Sequence, residues 1–252
     1  MNKPQINIDN HAKNYIEEIS KKNSLESILS SLRRKQVLIS VNKYNHKNIL
    51  EIGCGLDPLY PYVHGWNSYA IVVPGIEFFD ALKASNLYNV DIYNGYLEDI
   101  YEELLGNEFD YIFLSGVLHQ VPNLQIFLKA INQLSSCDTV VHINVPNAYS
   151  FHRLLAMEIG YINNIFEKSE TNTRLQVRWV FDKNSLYKVV QDNGFEVLDF
   201  GTYFIKLFTN EQMEKLINLG VFEKDLLLGL ENMVKYLPDM GCEMFVNIRL
   251  KS

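Results

Sequence analysis

One glycine-containing segment constrains the fold of this chain more than any other. Asn48–Pro58 reads Asn-Ile-Leu-Glu-Ile-Gly-Cys-Gly-Leu-Asp-Pro, an apolar run interrupted by Glu51 and followed by Gly53 and Gly55. Proline at position 58 is typical of a first helical turn. The segment predicts a buried strand, a tight turn whose backbone N–H groups can approach a ligand, and a helix from Pro58. A dinucleotide site would need a third glycine at position 58, which disfavours a nucleotide-dependent oxidoreductase.

Composition limits the partners and the location. A chain of 252 residues with 47% hydrophobic residues can form one large α/β domain or two small ones. The net charge of −7 and the lack of a basic block argue against a nucleic-acid polymer as partner. No apolar run is long enough for a transmembrane helix, and the N-terminus lacks a signal-peptide core. Three widely spaced cysteines suit a reducing compartment, so we expect a cytoplasmic protein with no membrane partner.

The order of predicted elements indicates the fold class. Strand-like and helical patterns alternate along the chain, which implies a mostly parallel sheet with helices on both faces. The predicted strands are 48–52, 69–73, 90–93, 111–114, 139–144, 195–208 and 243–250, and the predicted helices are 10–38, 58 onward, 74–82, 124–134, 181–193 and 210–237.

Several motifs in order resemble those of class I S-adenosylmethionine-dependent methyltransferases. The first is Glu51-Ile52-Gly53-Cys54-Gly55, and the second, at 94–99, reads Asn-Gly-Tyr-Leu-Glu-Asp. Residues 109–122 are similar to the fourth strand of that family and the loop after it. Residues 179–197 are similar to the helix that leads into its sixth strand. Within the class, the pattern is most similar to small-molecule O- and N-methyltransferases of the quinone-biosynthesis type.

The resemblance implies a Rossmann-like, doubly wound α/β fold. Its mostly parallel seven-stranded sheet would have an antiparallel last strand, here 243–250. We expect a helical N-terminal cap over residues 1–45 and a methyltransferase domain over 46–252, with an acceptor-side insertion at about 147–180. Tyr15 and the N-terminal helices either cover the cofactor as a lid or pack on the sheet as an ordinary amphipathic helix.

The resemblance also assigns the cofactor, S-adenosylmethionine, and its site. Gly53 and Gly55 would pass close to its methionine part, and Glu98 would meet the adenine amino group. Glu51 would either face the cofactor or brace the loop, and Cys54 is expected to pack rather than react. The full predicted set is Glu51, Gly53, Cys54, Gly55, Val73, Leu97, Glu98 and Ser115.

Two positions depart from the family pattern. Asp57 stands where the family often has a third glycine, and an N-cap role for Asp57 explains this change without loss of function. The second departure is more serious. Members usually carry an acidic residue at the end of the second strand, where it binds the ribose hydroxyls, and this chain has Val73. The lost charged hydrogen bonds predict weaker cofactor binding, by roughly one to two decades. Glu77 either substitutes for the missing group or only stabilises a helix N-terminus. This departure motivates the alternative of a non-catalytic member that binds the cofactor weakly or partners an active homologue.

Histidines supply the candidate bases. Methyl transfer to oxygen needs a positioned acceptor and a proton acceptor, and a neutral imidazole suits that task. His119 follows the fourth strand and His152 follows the fifth, so either is a candidate catalytic base, whereas His142 alternates with apolar residues and is expected to be a core histidine. The histidines show no close metal-ligand spacing, so we expect no metal.

The acceptor side is predicted from residues 144–155. There Asn147, His152 and Arg153 would contact the substrate, while Arg174 and Arg178 add positive charge nearby. We therefore expect methylation of a small soluble metabolite, with oxygen favoured over nitrogen. The acceptor would be anionic or nucleotide-linked, such as a surface-glycan precursor. A homodimer and a heteromer with a related methyltransferase both remain open.

Overall fold

The computed structural model describes Ile8 and residues 24–85 and 87–251. Its centre is a seven-stranded sheet in the order β3-β2-β1-β4-β5-β7-β6. Strands β1 to β5 pair in parallel, and β7 runs antiparallel to both of its neighbours, β5 and β6. The strands are β1 Asn48–Ile52, β2 Ser68–Val73, β3 Val90–Asn94, β4 Phe109–Ser115, β5 Ser135–Pro146, β6 Phe195–Tyr203 and β7 Glu243–Leu250. The mixed sheet with its antiparallel last strand confirms the predicted fold class.

Helices cover both faces of this sheet. In the described part of the chain they are α1 Leu25–Lys43, α2 Ile76–Ala84, α3 Leu97–Ile100, α4 Leu124–Gln133, α5 Phe151–Glu158, α6 Glu170–Arg174, α7 Lys183–Asp192, α8 Asn210–Asn218 and α9 Lys224–Asn232. Successive strand residues point to opposite faces. Leu50 and Ile52 of β1 therefore join one core with α4 and α7, while Ile49 joins a second core with α1 and α2.

Helix α1 is part of the packed structure and not only a cover. Val37 and Val41 in its second half are buried against the sheet. Ser40 donates to Asn247 of β7 at 2.7 Å and accepts from Tyr111 of β4 at 2.6 Å. Packing on the sheet is thus the observed role of this half of α1. Tyr15, the proposed lid residue, lies outside the described residues, and the domain boundary at residue 45 stays a prediction.

The helix predicted from Pro58 is wrong. Residues 53–59 form an irregular loop, followed by a short 3₁₀ helix at Tyr60–Tyr62. Two physical causes explain the difference. Pro61 lacks the N–H that an α-helix needs at that position, and Glu51 accepts the Leu59 N–H at 3.0 Å, which ties the loop to the end of β1.

Two further elements differ from expectation near the C-terminus. The single helix predicted over 210–237 is two helices, α8 and α9, followed by a 3₁₀ turn at Met233–Lys235. Gly220, with φ +71°, ends the first helix in the left-handed conformation typical of a C-cap. Strand β6 ends at Tyr203 and not at residue 208, because Phe204 adopts φ +59° and turns the chain out of the sheet.

Candidate active site

A cavity of about 520 Å³ opens at the carboxyl ends of the parallel strands. It lies where the sheet order reverses between β1 and β4, the usual ligand position in open α/β sheets. All of the predicted site residues line it, namely Glu51, Gly53, Cys54, Gly55, Val73, Leu97, Glu98, Ser115, His119, Asn147, His152 and Arg153. The fold therefore brings them together, while the role of each remains a prediction except where a contact decides it.

The glycine turn after β1 brings bare backbone to the cavity. Gly53 has φ +75° and donates its N–H to the Val72 carbonyl at 2.9 Å, and Gly55 has φ +60°. A Cβ atom at position 53 would lie 2.5 Å from Val117 Cγ2, which is too close for any side chain. Gly116 on the facing loop also has a left-handed φ of +76°, and a Cβ atom there would meet nothing within 4 Å. Main chain on both sides can therefore approach a ligand closely.

Glu51 braces this loop. Its side chain is buried and accepts hydrogen bonds from the Leu59 N–H at 3.0 Å and from the Tyr69 hydroxyl at 2.6 Å. Burial raises the pKa of Glu51 to about 7 although both hydrogen bonds oppose that change. These two hydrogen bonds support the interpretation that Glu51 braces the loop. Burial, followed by the charge of Glu51, raises the pKa of the Cys54 thiol, which suits a packing residue rather than a nucleophile.

The ends of β2 and β3 form the next part of the wall. Val73 is buried, and its carbonyl accepts from the Gly95 N–H at 3.2 Å and from Asn94 Nδ2 at 3.1 Å. Its apolar side chain offers no acceptor for a ribose diol. Glu77 is exposed in the first turn of α2 and is absent from the described cavity lining, so it does not replace the missing acid in this conformation. Glu98 begins α3 and lines the cavity.

Two histidines also line the cavity. His119 lies in the loop after β4, where its backbone carbonyl accepts from the N–H groups of Arg178 and Trp179 at 2.9 and 3.0 Å. His152 lies in the first turn of α5, and its Nδ1 is buried with no hydrogen-bond partner among the described residues. Burial, then the charges of Lys206 and Arg153, lowers the pKa of His152 well below its usual range. The ring is therefore neutral at pH 7.

The predicted substrate residues Asn147 and Arg153 already hold neighbouring chain segments. Asn147 Nδ2 donates to the carbonyls of Asp239 and Gly241 at 2.9 and 2.8 Å. Arg153 Nε donates to the Ile165 carbonyl at 3.0 Å, and its guanidinium also reaches the Glu167 carbonyl. Both side chains thus stabilise the walls of the cavity, and their contact with an acceptor stays a prediction.

Sequence reasoning missed four charged residues of the acceptor end. Glu26 and Arg33 come from α1, Lys206 follows β6, and Glu243 begins β7. Arg33 pairs with Glu26 and, at 3.4 Å, with Glu243. One available signal was Lys206 itself, since a lysine inside the apolar run at 203–208 breaks the local pattern and needs an explanation.

His142 is the core histidine that its strand pattern predicts. It is fully buried in β5, with Nδ1 2.7 Å from Asn247 Oδ1 and Nε2 2.8 Å from Asn144 Nδ2. A neutral ring with the proton on Nδ1 satisfies both contacts. Burial lowers the pKa of His142 to about 4. The described residues contain no group of three His, Cys, Asp or Glu side chains placed to hold a metal ion.

The family of the chain follows from a sequence model. Residues 17–199 match the model of a family described as a methyltransferase domain, which is well over half of the chain. The chain belongs to this family. Its fold and its ordered motifs make it a class I methyltransferase with S-adenosylmethionine as cofactor. Among curated protein sequences, none matches this methyltransferase significantly.

Solved structures agree on the fold. The plantazolicin methyltransferase BamL, in complex with a triazolic desmethylPZN analog and SAH, is 15% identical with a TM-score of 0.58, covering 97% of this chain and 96% of its own. A SAM-dependent methyltransferase from Archaeoglobus fulgidus is 12% identical with a TM-score of 0.56, covering 93% and 97%. One from Mesorhizobium loti is 13% identical with a TM-score of 0.52, covering 80% and 90%. The quinone-biosynthesis resemblance stays a prediction.

The residues present fit this cofactor in part. The left-handed glycines at 53, 55 and 116 leave main chain open at the cavity wall, and Glu98 places a carboxylate beside them. The ribose position lacks its usual acid because Val73 is apolar. The fit therefore rests on backbone and on Glu98. No helix in residues 24–85 or 87–251 is long and apolar enough to cross a membrane.

Proposed function

We propose that this methyltransferase transfers a methyl group to a hydroxyl oxygen of a small anionic acceptor. The observation that supports this most is the continuity of the cavity. Its glycine-lined end carries the cofactor motifs, and its other end carries the neutral His152 beside the buried Lys206 and the half-buried Arg153. A proton acceptor and an anion-attracting wall thus face the same space.

Bound S-adenosylmethionine supplies an activated methyl group on a sulfonium. Gly53, Gly55 and Glu98 would hold this cofactor, which would supply its methyl group to the acceptor oxygen and keep the electron pair of the broken carbon–sulfur bond on sulfur. The hydroxyl proton would pass to an imidazole nitrogen. We favour His152 because its ring, which has a buried and unpartnered Nδ1 among the described residues, lies within the electrostatic influence of the cations Lys206 and Arg153. His119 is the second candidate, since it lines the same cavity.

The environment of His152 selects the kind of acceptor. A buried imidazole with a lowered pKa is neutral but weakly basic, so it suits an acidic hydroxyl such as a phenol or enol. Binding of an anion beside Lys206 and Arg153 would offset the two charges that lower the pKa of His152. An anionic acceptor would therefore strengthen the base that deprotonates it.

The narrower acceptor hypothesis has less support. Of the three arginines that suggested a nucleotide-linked glycan precursor, only Arg153 lines the cavity, and Arg174 and Arg178 are not part of its described lining. We retain a small anionic metabolite and leave the nucleotide linkage as a prediction. A cytoplasmic location and a homodimeric or heteromeric assembly are likewise predictions.

The test incubates the purified protein with methyl-labelled S-adenosylmethionine and a small-molecule extract, and follows label into a product. His152→Ala should lower turnover by roughly two to four decades and leave affinity for S-adenosylhomocysteine nearly unchanged. His64→Ala is the matched control, because His64 is exposed and lies outside the described cavity lining. If His152→Ala and His119→Ala each keep the parental turnover, neither histidine is the catalytic base.

The same experiment addresses the non-catalytic alternative that Val73 motivates. A protein that binds S-adenosylhomocysteine but labels no product, alone or with a related methyltransferase added, would be a binding member of the family. Label transfer only after that addition would identify a heteromer.

A further inference from the structure

Lys206 is a buried ammonium without a matching carboxylate. The residue is only 7% exposed, and its side chain donates one hydrogen bond among the described residues, to Asn210 Oδ1. It forms no ion pair with any residue in the described ranges. Burial of a charge is costly unless the charge is paired, so a lysine in this state needs a reason.

Glu243 is the complementary buried group. Its side chain is 6% exposed, and Arg33 Nε lies 3.4 Å from Oε1. The second oxygen, Oε2, is buried with no hydrogen-bond partner among the described residues. Both Glu243 and Lys206 line the cavity, and each lies within the electrostatic influence of the other. Glu243 Oε2, an acceptor without a partner among the described residues, and the Lys206 ammonium, a donor with one hydrogen bond, therefore line the same cavity.

The backbone before Lys206 is held in an uncommon conformation. Phe204 has φ +59°, and its carbonyl accepts the Cys242 N–H at 2.8 Å. Left-handed conformations of bulky residues cost free energy and persist where the surroundings enforce them. Here the turn at Phe204 takes the chain out of the sheet, and Lys206 lines the cavity together with Glu243 at the start of β7.

We propose that Lys206 and Glu243 form a two-point recognition site for the methyl acceptor. Lys206 would bind a carboxylate or similar single anion, and Glu243 Oε2 would bind a hydroxyl or amine hydrogen of the same molecule. This inference rests on the proposed function and specifies its substrate class as a compact acid with a neighbouring hydrogen-bond donor. Both residues are positioning residues, because they are assigned to groups other than the reacting oxygen.

Glycolate is the smallest probe that carries both groups. Calorimetry with protein saturated with S-adenosylhomocysteine should show binding of glycolate in preference to acetate, which lacks the hydroxyl, and to ethylene glycol, which lacks the anion. Lys206→Met should lower glycolate affinity by about tenfold or more, and Lys206→Arg should retain most of it. Glu243→Gln should weaken glycolate and leave acetate unchanged.

Matched controls come from helix α8. Lys215 and Glu211 form an exposed pair there, so Lys215→Met and Glu211→Gln remove the same charges away from the cavity and should leave glycolate binding unchanged.

Equal affinity of the parent for glycolate and ethylene glycol would overturn the proposal, as would parental glycolate affinity in Lys206→Met. If Lys206→Met does not fold, Glu243→Gln provides the test. Weaker binding of glycolate with unchanged binding of acetate supports the proposal, and unchanged binding of glycolate overturns it. Failure of the parent to bind S-adenosylhomocysteine would instead refute the proposed function. In that case, the affinity for glycolate measured without S-adenosylhomocysteine would still test the two-point site.

Discussion

The two ends of the cavity are built in different ways. At the end with the cofactor motifs, the wall exposes main chain at Gly53, Gly55 and Gly116, and Glu51 braces the glycine loop from a buried position. At the other end, the wall is formed by side chains that come from α1, α5, the segment after β6 and the start of β7.

This difference explains which half of the function is established. A backbone site must keep glycines at fixed spacing, and that requirement leaves a local pattern in the sequence. A site built from side chains can use any residue that the fold brings near, so it leaves no local pattern. The cofactor therefore follows from the family, whereas the acceptor has to be argued from three-dimensional contacts.

The strongest test of the comparison is a side chain in the glycine turn. Gly53→Val should lower affinity for S-adenosylhomocysteine at least about a hundredfold, because position 53 combines φ +75° with a contact of 2.5 Å to Val117. Gly220→Val is the matched control, with φ +71° and no atom within 4 Å of the new Cβ. It should cost some stability but keep cofactor affinity. Equal affinity in both variants would show that main chain is not the recognition element.

The success of the sequence-based predictions shows the same difference between local patterns and distant contacts. Asn48–Ile52 and Glu243–Leu250 were located from apolar runs and the turn residues beside them, because these strands are buried in the sheet. The helix predicted from Pro58 failed for two reasons: Pro61, which the sequence does show, was not weighed against it, and the contact between Glu51 and the Leu59 N–H cannot be seen in a local pattern. Lys206 was missed because only the turn at Phe204, set by contacts with distant segments, takes it out of the sheet.

A second test separates structural from functional histidines. His142 is hydrogen-bonded at both nitrogens, whereas His152 has an unpartnered Nδ1 among the described residues. Burial lowers the pKa of His142 from 6.5 to about 4, which corresponds to about 3 kcal/mol of folding free energy. Below pH 6.5 the unfolded chain takes up a proton that the folded chain refuses, so stability falls as pH drops towards 4.

The measurement compares denaturant unfolding of the parent and of His142→Gln at pH 7.5 and pH 4. The stability advantage of the parent should shrink by about 3 kcal/mol over that range. The pKa of Glu51, about 7, gives the opposite pH dependence of stability. Because Glu51 is present in both proteins, its contribution cancels when their free energies of unfolding are subtracted. A constant difference across the range would mean that His142 titrates normally in the folded protein.

A third test concerns the ribose position. Val73→Glu should strengthen binding of S-adenosylhomocysteine by on the order of 1–2 kcal/mol if the ribose diol is presented at the end of β2. The 2′-deoxy analogue of that ligand is the control, since it lacks one of the two hydroxyls and should gain less. Weaker binding of both ligands would indicate that the buried site at Val73 rejects a carboxylate and that another group holds the ribose.

The smallest expected effect tests whether the two ends act independently. Arg34 of α1 pairs with Asp57 in the loop after Gly55, and its guanidinium lies 4.4 Å from the centre of the Tyr62 ring. This contact joins the helix that carries the acceptor-side Arg33 to the cofactor loop. The side chains are 24% and 50% exposed, so solvent screening should limit their coupling to below about 1 kcal/mol.

A double-mutant cycle with Arg34→Met and Asp57→Asn measures that coupling in the affinity for S-adenosylhomocysteine and in the free energy of unfolding. We expect each single variant to change cofactor affinity only a few-fold, because the glycine turn keeps its conformation through Glu51, which neither substitution touches. A coupling well above 1 kcal/mol would break the comparison. It would mean that α1 transmits the state of the acceptor end to the cofactor loop, and that the backbone site depends on side chains after all.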